Sequence, residues 1–275
     1  MVVETKKSLG QHWLNDRTSL QAMCQAAQVS ESDTVLEVGP GQGSLTKQLL
    51  ARGTHVVAVE LDSTLAANLL KNLPHYISNL CKVRPCKGGL EVVEGDILKF
   101  DLTALPAGYK VVANIPYYLT GNLLKILCES PNPPSKMALL VQKEVAQRLA
   151  AGPGQMSLLA VSVQLFYEVE IGTVVPARLF NPPPKVDSQV VALSRRQKPL
   201  FDSLDSKLFF RIVKAGFSGK RKKLRGSLSA GLNISKEQVD QLLLQAGING
   251  NLRAQNLSLV DWHKIYSVPA LPQNT

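Results

Sequence analysis

The sequence lacks the features that would place the chain in a membrane, in a secretory pathway or around a metal. No segment approaches the roughly 18 uninterrupted apolar residues of a membrane span. Residues 1–7 carry no apolar core of the kind that a signal peptide needs. The four cysteines are not accompanied by a second Cys or His pair at zinc-site spacing. The sequence therefore predicts a cytoplasmic protein with no metal site, whose cysteines are small buried residues or idle thiols.

The charge balance is strongly basic. Lys and Arg number 31 against 21 Asp and Glu, which gives a formal charge of +10. Such an excess attracts polyanions and speeds their encounter, so nucleic acid or an anionic surface is a candidate partner. A basic surface that has no partner is the alternative explanation.

Short apolar, β-branched segments alternate with helix-like stretches over the first two-thirds of the chain. The predicted strands are 34–39, 55–60, 90–96, 109–115, 136–142, 167–175 and 185–193. The predicted helices are 44–52, 63–73, 121–129, 143–151 and 157–166, with apolar residues three and four apart. Strands that alternate with helices imply crossover connections and a mainly parallel sheet covered on both faces. The predicted class is therefore α/β, with a doubly wound, Rossmann-like sheet.

The pattern changes near residue 198. Beyond it the sequence predicts four helices, at 206–217, 222–230, 235–246 and 258–266. Residues 201–275 hold 11 Lys and Arg against 5 Asp and Glu, so they carry +6 of the total charge of +10. We therefore predict two domains, residues 1–198 and a smaller, basic, all-helical domain at 199–275. Residues 78–89, with two cysteines and three basic residues, are predicted to form a surface loop.

A glycine-rich loop, Glu37-Val-Gly-Pro-Gly-Gln-Gly43, follows the first predicted strand and opens a helix. Gly39 and Gly41 let the backbone turn tightly and let a ligand approach closely. Glu60 ends the next strand, where a carboxylate can accept both hydroxyls of a ribose. Asp96, after the third strand, adds an acceptor that suits an adenine amine. This spacing fits any nucleoside cofactor, but the G-x-G-x-G pattern and its preceding acid favour S-adenosylmethionine over a nicotinamide dinucleotide.

The segment Asn114-Ile-Pro-Tyr117 follows the fourth strand and indicates the reaction. The exocyclic amine of adenine is a poor nucleophile because its lone pair is delocalised into the ring. The side-chain oxygen of Asn114 and the carbonyl of Ile115 can bind its hydrogens and expose that lone pair, with Pro116 fixing the turn. Tyr117 can stack on a base that has been taken out of its helix. Positioning then supplies much of the rate, and no strong general base is needed.

These motifs together resemble the ribosomal RNA adenine N6-dimethyltransferases of the KsgA type. Asn114–Tyr117 is similar to the [ND]-x-P-Y signature of amino-methyltransferases. Lys7-Ser-Leu-Gly-Gln-His-Trp-Leu14 resembles the family's N-terminal K-x-L-G-Q-N-F-L box. Two further boxes of the family are matched by similar segments of this chain, Gln142-Lys-Glu-Val-Ala-Gln-Arg-Leu149 and Phe180-Asn-Pro-Pro-Pro-Lys-Val-Asp-Ser188. The resemblance covers nearly the whole chain, including the basic helical tail.

The resemblance implies roles for individual residues. Phe180 would form the second face of a clamp on the flipped adenine, opposite Tyr117. The chain departs from the family at His12, usually Asn, and at Trp13, usually Phe, and we expect altered contacts rather than lost binding. The cofactor-binding residues that the resemblance implies are His12, Leu14, Gly39, Gly41, Glu60, Asp96 and Asn114.

The implied reaction is the transfer of two methyl groups to each of two adjacent adenines. These lie in a hairpin loop near the 3′ end of small-subunit ribosomal RNA, and the implied partner is the assembling small subunit. A monomer is expected because no apolar helical face is left over. The methyltransferase activity is assigned to residues 1–198 and the RNA contact to 199–275.

The densest charge in the tail is a cluster of cations that we call the basic cluster. Such cations neutralise phosphates and position a protein on RNA without reading its sequence. A solvated helix face is the alternative. The basic cluster consists of Lys220, Arg221, Lys222, Lys223 and Arg225.

Three rival functions remain open from the sequence. A related methyltransferase that acts on large-subunit RNA would share every catalytic motif. A non-catalytic ribosome assembly factor is opposed by the intact Asn114, Tyr117 and Phe180. A nicotinamide-dependent dehydrogenase is the weakest, because nothing resembles a hydride-transfer site.

Overall fold

A computed structural model describes residues 11–83, 88–219 and 221–269, apart from the side chains of 74–83. The chain divides into two compact units. The first comprises Met1–Gln147 and Tyr167–Arg195, and the second comprises Arg148–Phe166 and Arg196–Thr275. Among the residues that the structure describes, no helix combines the length and the hydrophobicity that a membrane span requires.

The first unit is built on a seven-stranded sheet. Its strands are β2 (Thr34–Val38), β3 (His55–Glu60), β4 (Leu90–Glu94), β5 (Lys110–Asn114), β6 (Lys136–Gln142), β7 (Tyr167–Val175) and β9 (Ser188–Arg195). Their order in the sheet is β4-β3-β2-β5-β6-β9-β7. The helices of this part of the chain are α1 (Arg17–Ala26), α2 (Ser44–Leu50), α3 (Ser63–Val83), α4 (Thr120–Glu129) and α5 (Lys143–Leu149). A separate two-stranded sheet joins β1 (Trp13–Leu14) to β8 (Phe180–Asn181).

Strands β2 to β6 run parallel. The side chains of β2, β3, β5 and β6 are largely buried on both faces, whereas those of the edge strand β4 are partly exposed. Val35 and Leu36 of β2 and Val111 and Val112 of β5 are fully buried, as expected for strands covered by helices on each side. Strand β2 pairs with β3 on one side and with β5 on the other. Strand order therefore reverses at β2, and ligands in open α/β sheets bind beyond the carboxyl ends of the strands at such a point. The predicted α/β class is confirmed.

The strand that comes last in the chain, β9, lies in the interior of the sheet and not at its edge. Strand β9 pairs antiparallel with β6 on one side and with β7 on the other. Its first residues, Ser188 and Gln189, are buried beside the carboxyl end of β6. The segment that includes Phe180 is thereby held at the same edge of the sheet as the ends of the parallel strands.

The second unit is helical and has its own apolar core. Its helices are α6 (Leu158–Gln164), α7 (Ser206–Phe217), α8 (Leu224–Leu232), α9 (Lys236–Ala246) and α10 (Leu259–Tyr266). Trp262 and Phe209 are fully buried in this core. Capping boxes begin α9 at Ser235 and α10 at Ser258, which satisfies the free N–H groups of the first turns.

The unit boundaries differ from the predicted division into 1–198 and 199–275 in the segment Arg148–Phe166 and, by three residues, at Arg196. The second unit includes Arg148–Phe166, because Ala160, Val161 and Leu165 pack into the same core as Phe209. The helical pattern of 157–166 shows an apolar face, but it does not show which core buries that face.

Two other local predictions need correction. The loop predicted at 78–89 is helical up to Val83, because α3 continues past Pro74; residues 84–87 lie outside the described part of the chain. Helix α8 begins at Leu224 rather than at residue 222, since Lys223 has the extended backbone of an N-cap.

Candidate functional site

A cavity opens at the carboxyl edge of the sheet, within the first unit. Its volume is about 230 Å³. Every residue that the sequence assigned to catalysis or to cofactor binding lies in its wall. These residues are His12, Leu14, Gly39, Gly41, Glu60, Asp96, Asn114, Ile115, Pro116, Tyr117 and Phe180.

The glycine-rich loop forms the turn between β2 and α2. Gly41 has a φ of +57°, a conformation that residues with a side chain rarely adopt. A Cβ atom at Gly41 would lie 3.4 Å from Nε1 of Trp13, so the glycine also makes room for that ring. Trp13 is where the chain departs from the family's usual Phe, and the structure shows that its indole packs against the loop.

The carboxylate of Glu60 braces this loop. One oxygen accepts a hydrogen bond from the N–H of Gly41 at 3.0 Å, and the other accepts from the N–H of Asp62 at 3.0 Å. Burial raises the pKa of Glu60, while these backbone hydrogen bonds oppose the shift. Each carboxylate oxygen can accept a second hydrogen bond, so Glu60 can hold the loop and still accept from ribose hydroxyls.

Glu37, at the end of β2, is the most deeply buried carboxyl group in the cavity wall. Its side chain is 1% exposed. Burial raises its pKa to about 8, and the neighbouring Glu60 carboxylate adds to the shift while Thr46 opposes it. Oxygen Oε2 of Glu37 is buried and has no hydrogen-bond partner among the described residues. A buried polar atom without a partner favours a site that a polar ligand completes.

The raised pKa of Glu37 predicts a stability that falls as pH rises. Between about pH 4.5 and pH 8 the unfolded chain ionises this carboxyl while the folded chain keeps it protonated. The free energy of unfolding should therefore lose up to about 1.4 kcal/mol per pH unit in this window. Glu37→Gln should remove that slope, as measured by urea unfolding at pH 5, 6.5 and 8. Glu94→Gln, at an exposed carboxyl on β4, is the matched control; parallel pH profiles for wild type and Glu37→Gln would contradict the assignment.

Asp96 follows β4 and caps a short 3₁₀ helix. Its Oδ1 accepts a hydrogen bond from the N–H of Leu98 at 2.9 Å. This contact fixes the orientation of the carboxylate, whose other oxygen remains able to accept from an amine donor. Glu60, at the end of β3, and Asp96, just after the neighbouring strand β4, thus lie at one wall of the cavity.

Asn114 ends β5 and is oriented by the N-terminal box. Its Nδ2 donates a hydrogen bond to the backbone carbonyl of His12 at 3.1 Å. This contact fixes the orientation of the amide group and leaves Oδ1, its acceptor atom, able to accept from an amine. His12 itself donates from Nδ1 to the carbonyl of Pro182 at 2.7 Å. The first and last of the family boxes therefore meet at the catalytic loop.

Tyr117 is held by a contact that the sequence did not predict. Its hydroxyl lies 2.9 Å from Oγ of Ser188, at the start of β9. Burial raises the pKa of Tyr117, so the hydroxyl stays protonated. The rings of His12 and Tyr117 lie nearly parallel, with centroids 6.0 Å apart and planes at 26°.

Phe180 reaches the cavity through the small sheet. Leu14 and Phe180 are register partners in the antiparallel pair of β1 and β8. Both side chains are buried, and Phe180 is 4% exposed. The ring thus lines the cavity from within a packed wall, together with Leu14.

Other residues in the cavity wall were not predicted from the sequence. Leu61 and Leu98 follow Glu60 and Asp96 and are partly exposed at the cavity. Ser44, at the start of α2, donates to Oδ1 of Asn15 at 2.6 Å and ties the residue after the N-terminal box to the helix that follows the glycine-rich loop. No sequence pattern identifies such residues, because their roles depend on contacts between segments that are distant in the chain.

The basic cluster lies in the second unit, at the start of α8. Arg221, Lys222 and Lys223 are exposed. Nζ of Lys223 donates to Oδ1 of Asn251, and Arg225 forms an ion pair of 2.6 Å with Asp240. Lys220 lies outside the described residues. Arg225 is therefore partly neutralised by Asp240, whereas the charges of Arg221 and Lys222 face solvent.

The cavity wall fits S-adenosylmethionine. A nucleoside needs acceptors for the ribose hydroxyls and the adenine amine, which Glu60 and Asp96 supply at successive strand ends. The loop at Gly41 allows close approach of the backbone. The buried, unpartnered oxygen of Glu37 suits a polar group at the bottom of the cavity.

The chain matches a family model over nearly its whole length. Residues 2–270 match the family described as ribosomal RNA adenine dimethylase. A ribosomal RNA small subunit methyltransferase A of Thermosynechococcus vestitus is 41% identical over 268 residues, covering 95% of each chain. The corresponding protein of Dehalococcoides mccartyi is 37% identical over 266 residues, covering 96% of this chain and 88% of its relative.

Solved structures agree with this match. A 23S rRNA methyltransferase, ErmE, has a TM-score of 0.71 and 28% identity, covering 94% of this chain and 99% of ErmE. A dimethyladenosine transferase from Plasmodium falciparum has a TM-score of 0.72 and 27% identity, covering 92% of this chain and 96% of the other. The predicted reaction class and the predicted cofactor, S-adenosylmethionine, are confirmed. The chain belongs to the ribosomal RNA adenine dimethylase family.

Proposed function

We propose that this protein dimethylates N6 of two adjacent adenines in a hairpin loop near the 3′ end of small-subunit ribosomal RNA. The observation that carries the reaction is the oriented amide of Asn114, whose nitrogen is engaged by the carbonyl of His12. The small-subunit target is supported by relatives that are 37% and 41% identical and are named small-subunit methyltransferases. We further propose that the protein acts in the cytoplasm as a monomer, on an assembling small subunit.

The cofactor side of the cavity is assigned to the ends of β2, β3 and β4. Glu60 binds the ribose hydroxyls, Asp96 binds the adenine amine of the cofactor, and Gly39 and Gly41 allow the backbone to approach it. When bound, S-adenosylmethionine supplies an activated methyl group on a positively charged sulfonium. His12 and Leu14 close this side of the cavity from β1 and the residue before it.

The substrate side is assigned to the loop after β5. In the first transfer, Oδ1 of Asn114 and the carbonyl of Ile115 accept the two hydrogens of the adenine amine and draw its nitrogen toward tetrahedral geometry. In the second transfer, the methylated amine donates its one remaining hydrogen to this pair of acceptors. Each transfer releases one proton from N6 to water. Pro116 fixes the turn that aims both oxygens at one point. Tyr117 stacks on one face of the base, and Phe180 borders the other. Because positioning and hydrogen bonding expose the lone pair, no strong base is required of the protein.

A second candidate target is large-subunit ribosomal RNA. It is favoured by the similarity to ErmE, a 23S rRNA methyltransferase whose structure covers 94% of this chain. Both targets require the same adenine chemistry, so the catalytic loop does not separate them. The names of the relatives with higher identity favour the small subunit.

The test is to incubate the protein with methyl-labelled S-adenosylmethionine and ribosomal subunits that lack the modification, followed by mass spectrometry of the RNA. Dimethyladenine at two neighbouring positions of small-subunit RNA is the expected result. Label confined to large-subunit RNA would support the proposed adenine methylation but would make large-subunit RNA the substrate. Cofactor binding without label on any RNA would favour an assembly factor.

We also propose that the basic cluster grips ribosomal RNA beside the target loop. Replacing Arg221, Lys222 and Lys223 together with Ala should weaken binding to small subunits and reduce the slope of log affinity against log salt by about 2, since each lost phosphate contact removes roughly 0.7–0.9. Filter binding at several salt concentrations measures both quantities.

The control for the basic cluster has the same loss of charge elsewhere in the second unit. Lys198, Lys207 and Lys236 are exposed and are separated along the chain. Their combined replacement with Ala should change the slope much less. Equal slopes for the two triple variants would mean that net charge, and not the basic cluster, sets RNA affinity.

A further inference from the structure

Tyr118 is a large aromatic side chain that lies exposed at the cavity. It is 61% exposed, yet it belongs to the cavity wall beside Tyr117. Its ring is not paired with any aromatic ring in the described ranges. An exposed aromatic ring at the mouth of a site that takes in a nucleotide points to contact with nucleic acid, because stacking suits every base.

The local backbone turns Tyr118 away from Tyr117. Both belong to the 3₁₀ helix Tyr117–Leu119, in which successive side chains are about 120° apart. Tyr117 is half-buried and its hydroxyl is held by Ser188. Two consecutive tyrosines with such different burial cannot both stack on one face of the same base. Tyr118 is therefore available to stack on a different base.

The sheet order places Tyr118 on the substrate side of the cavity. Of the proposed cofactor acceptors, Glu60 ends β3 and Asp96 follows β4, and both strands lie on one side of β2. Tyr118 follows β5, on the other side of β2, in the same loop as Asn114. The ring therefore borders the site of the target adenine rather than that of the cofactor ribose.

A flipped adenine leaves its neighbour without a stacking partner. An enzyme that modifies a base takes it out of its stack, at a cost of unstacking. An aromatic side chain beside the entrance can stack on the neighbouring base and offset part of that cost.

We propose that Tyr118 forms a second base-binding subsite, which stacks on the nucleotide next to the adenine being methylated. This inference rests on the proposed function, under which that neighbour is the second target adenine. The same ring then holds one adenine of the pair while the other occupies the site at Asn114. Tyr118 is a binding residue for the RNA and takes no part in the transfer itself.

The test measures methylation kinetics on small subunits that lack the modification, with the full-length protein. Tyr118→Ala and Tyr118→Leu should each raise the KM for the RNA by about tenfold, because both remove a stacking ring. Tyr118→Phe should stay within about twofold of wild type, since it keeps the ring. The KM for S-adenosylmethionine should be unchanged in all three. Leu70→Ala, at a 54% exposed side chain on α3 outside the cavity wall, controls for loss of exposed apolar surface.

The outcomes separate this inference from the proposed function. An active wild type with an unchanged RNA KM in Tyr118→Ala would overturn the subsite alone. A raised KM for S-adenosylmethionine with an unchanged RNA KM would assign the ring to the cofactor and would also overturn it. Absence of adenine methylation by the wild-type protein would overturn the proposed function, and the inference with it.

Discussion

Asn114→Ala is expected to lower kcat for adenine methylation by about 10²- to 10³-fold, the range seen when one well-placed hydrogen-bonding group is removed from a transition state. The change deletes the oxygen that draws the amine nitrogen toward tetrahedral geometry. It also frees the carbonyl of His12 from the Nδ2 donor that now lies 3.1 Å away. Single-turnover rates with subunits that lack the modification measure the loss, and calorimetry with S-adenosylmethionine shows how much of it is cofactor binding.

Two further variants make this prediction specific. Asn122→Ala, at an exposed asparagine on α4, should leave the rate within about twofold of wild type, as most surface substitutions do. Asn114→Asp keeps an acceptor oxygen but sets a carboxylate oxygen against the carbonyl of His12, so an intermediate rate is expected. If Asn114→Ala kept more than about a tenth of the wild-type rate, well above the range for a lost transition-state contact, Asn114 would not carry the proposed role.

Trp262→Ala is expected to lower the free energy of unfolding by about 3–5 kcal/mol, the usual cost of removing a large buried ring. Trp262 is fully buried in α10, and its ring centroid lies 5.6 Å from that of Phe217 in α7. Gly216 leaves room for the indole, since a Cβ at that position would collide with the ring. The surrounding helices cannot close the space without losing these contacts.

Urea unfolding followed by circular dichroism measures this effect without depending on the fluorescence of the deleted tryptophan. Val260→Ala is the matched control, because Val260 lies on the same helix and is 52% exposed. It should cost within about 0.5 kcal/mol. Similar midpoints for the two variants would mean that the core of the second unit does not depend on Trp262.

The sheet could be predicted because each strand has a local sequence pattern that identifies it. Thr34–Val38 and His55–Glu60 are short, β-branched and flanked by turn residues or acids, and both appear at the predicted places. The end of α3 could not be predicted in this way. Pro74 normally marks a helix boundary, whereas here the helix continues to Val83.

The candidate site could be predicted to the level of single residues, but not to the level of its contacts. Glu60, Asp96 and Asn114 lie at or just after the ends of successive strands, and carboxyl ends of parallel strands meet at one edge. The hydrogen bonds of Tyr117 with Ser188 and of His12 with Pro182 join residues that are 71 and 170 positions apart. Such pairings depend on the finished packing, and a pair of two-residue strands leaves no periodic signal.

The position of β9 sets the order in which the protein can become active during its own synthesis. This strand is the last of its sheet to be made, yet it lies between β6 and β7 and carries the serine that holds Tyr117. A nascent chain that has not yet released residue 195 from the ribosome can form the parallel strands, but it has neither β9 nor an anchored Tyr117. Since synthesis adds about 5–20 residues per second, the last parallel strand is synthesised several seconds before β9 is complete. The contact that holds the catalytic loop can thus form only after most of the chain has been synthesised.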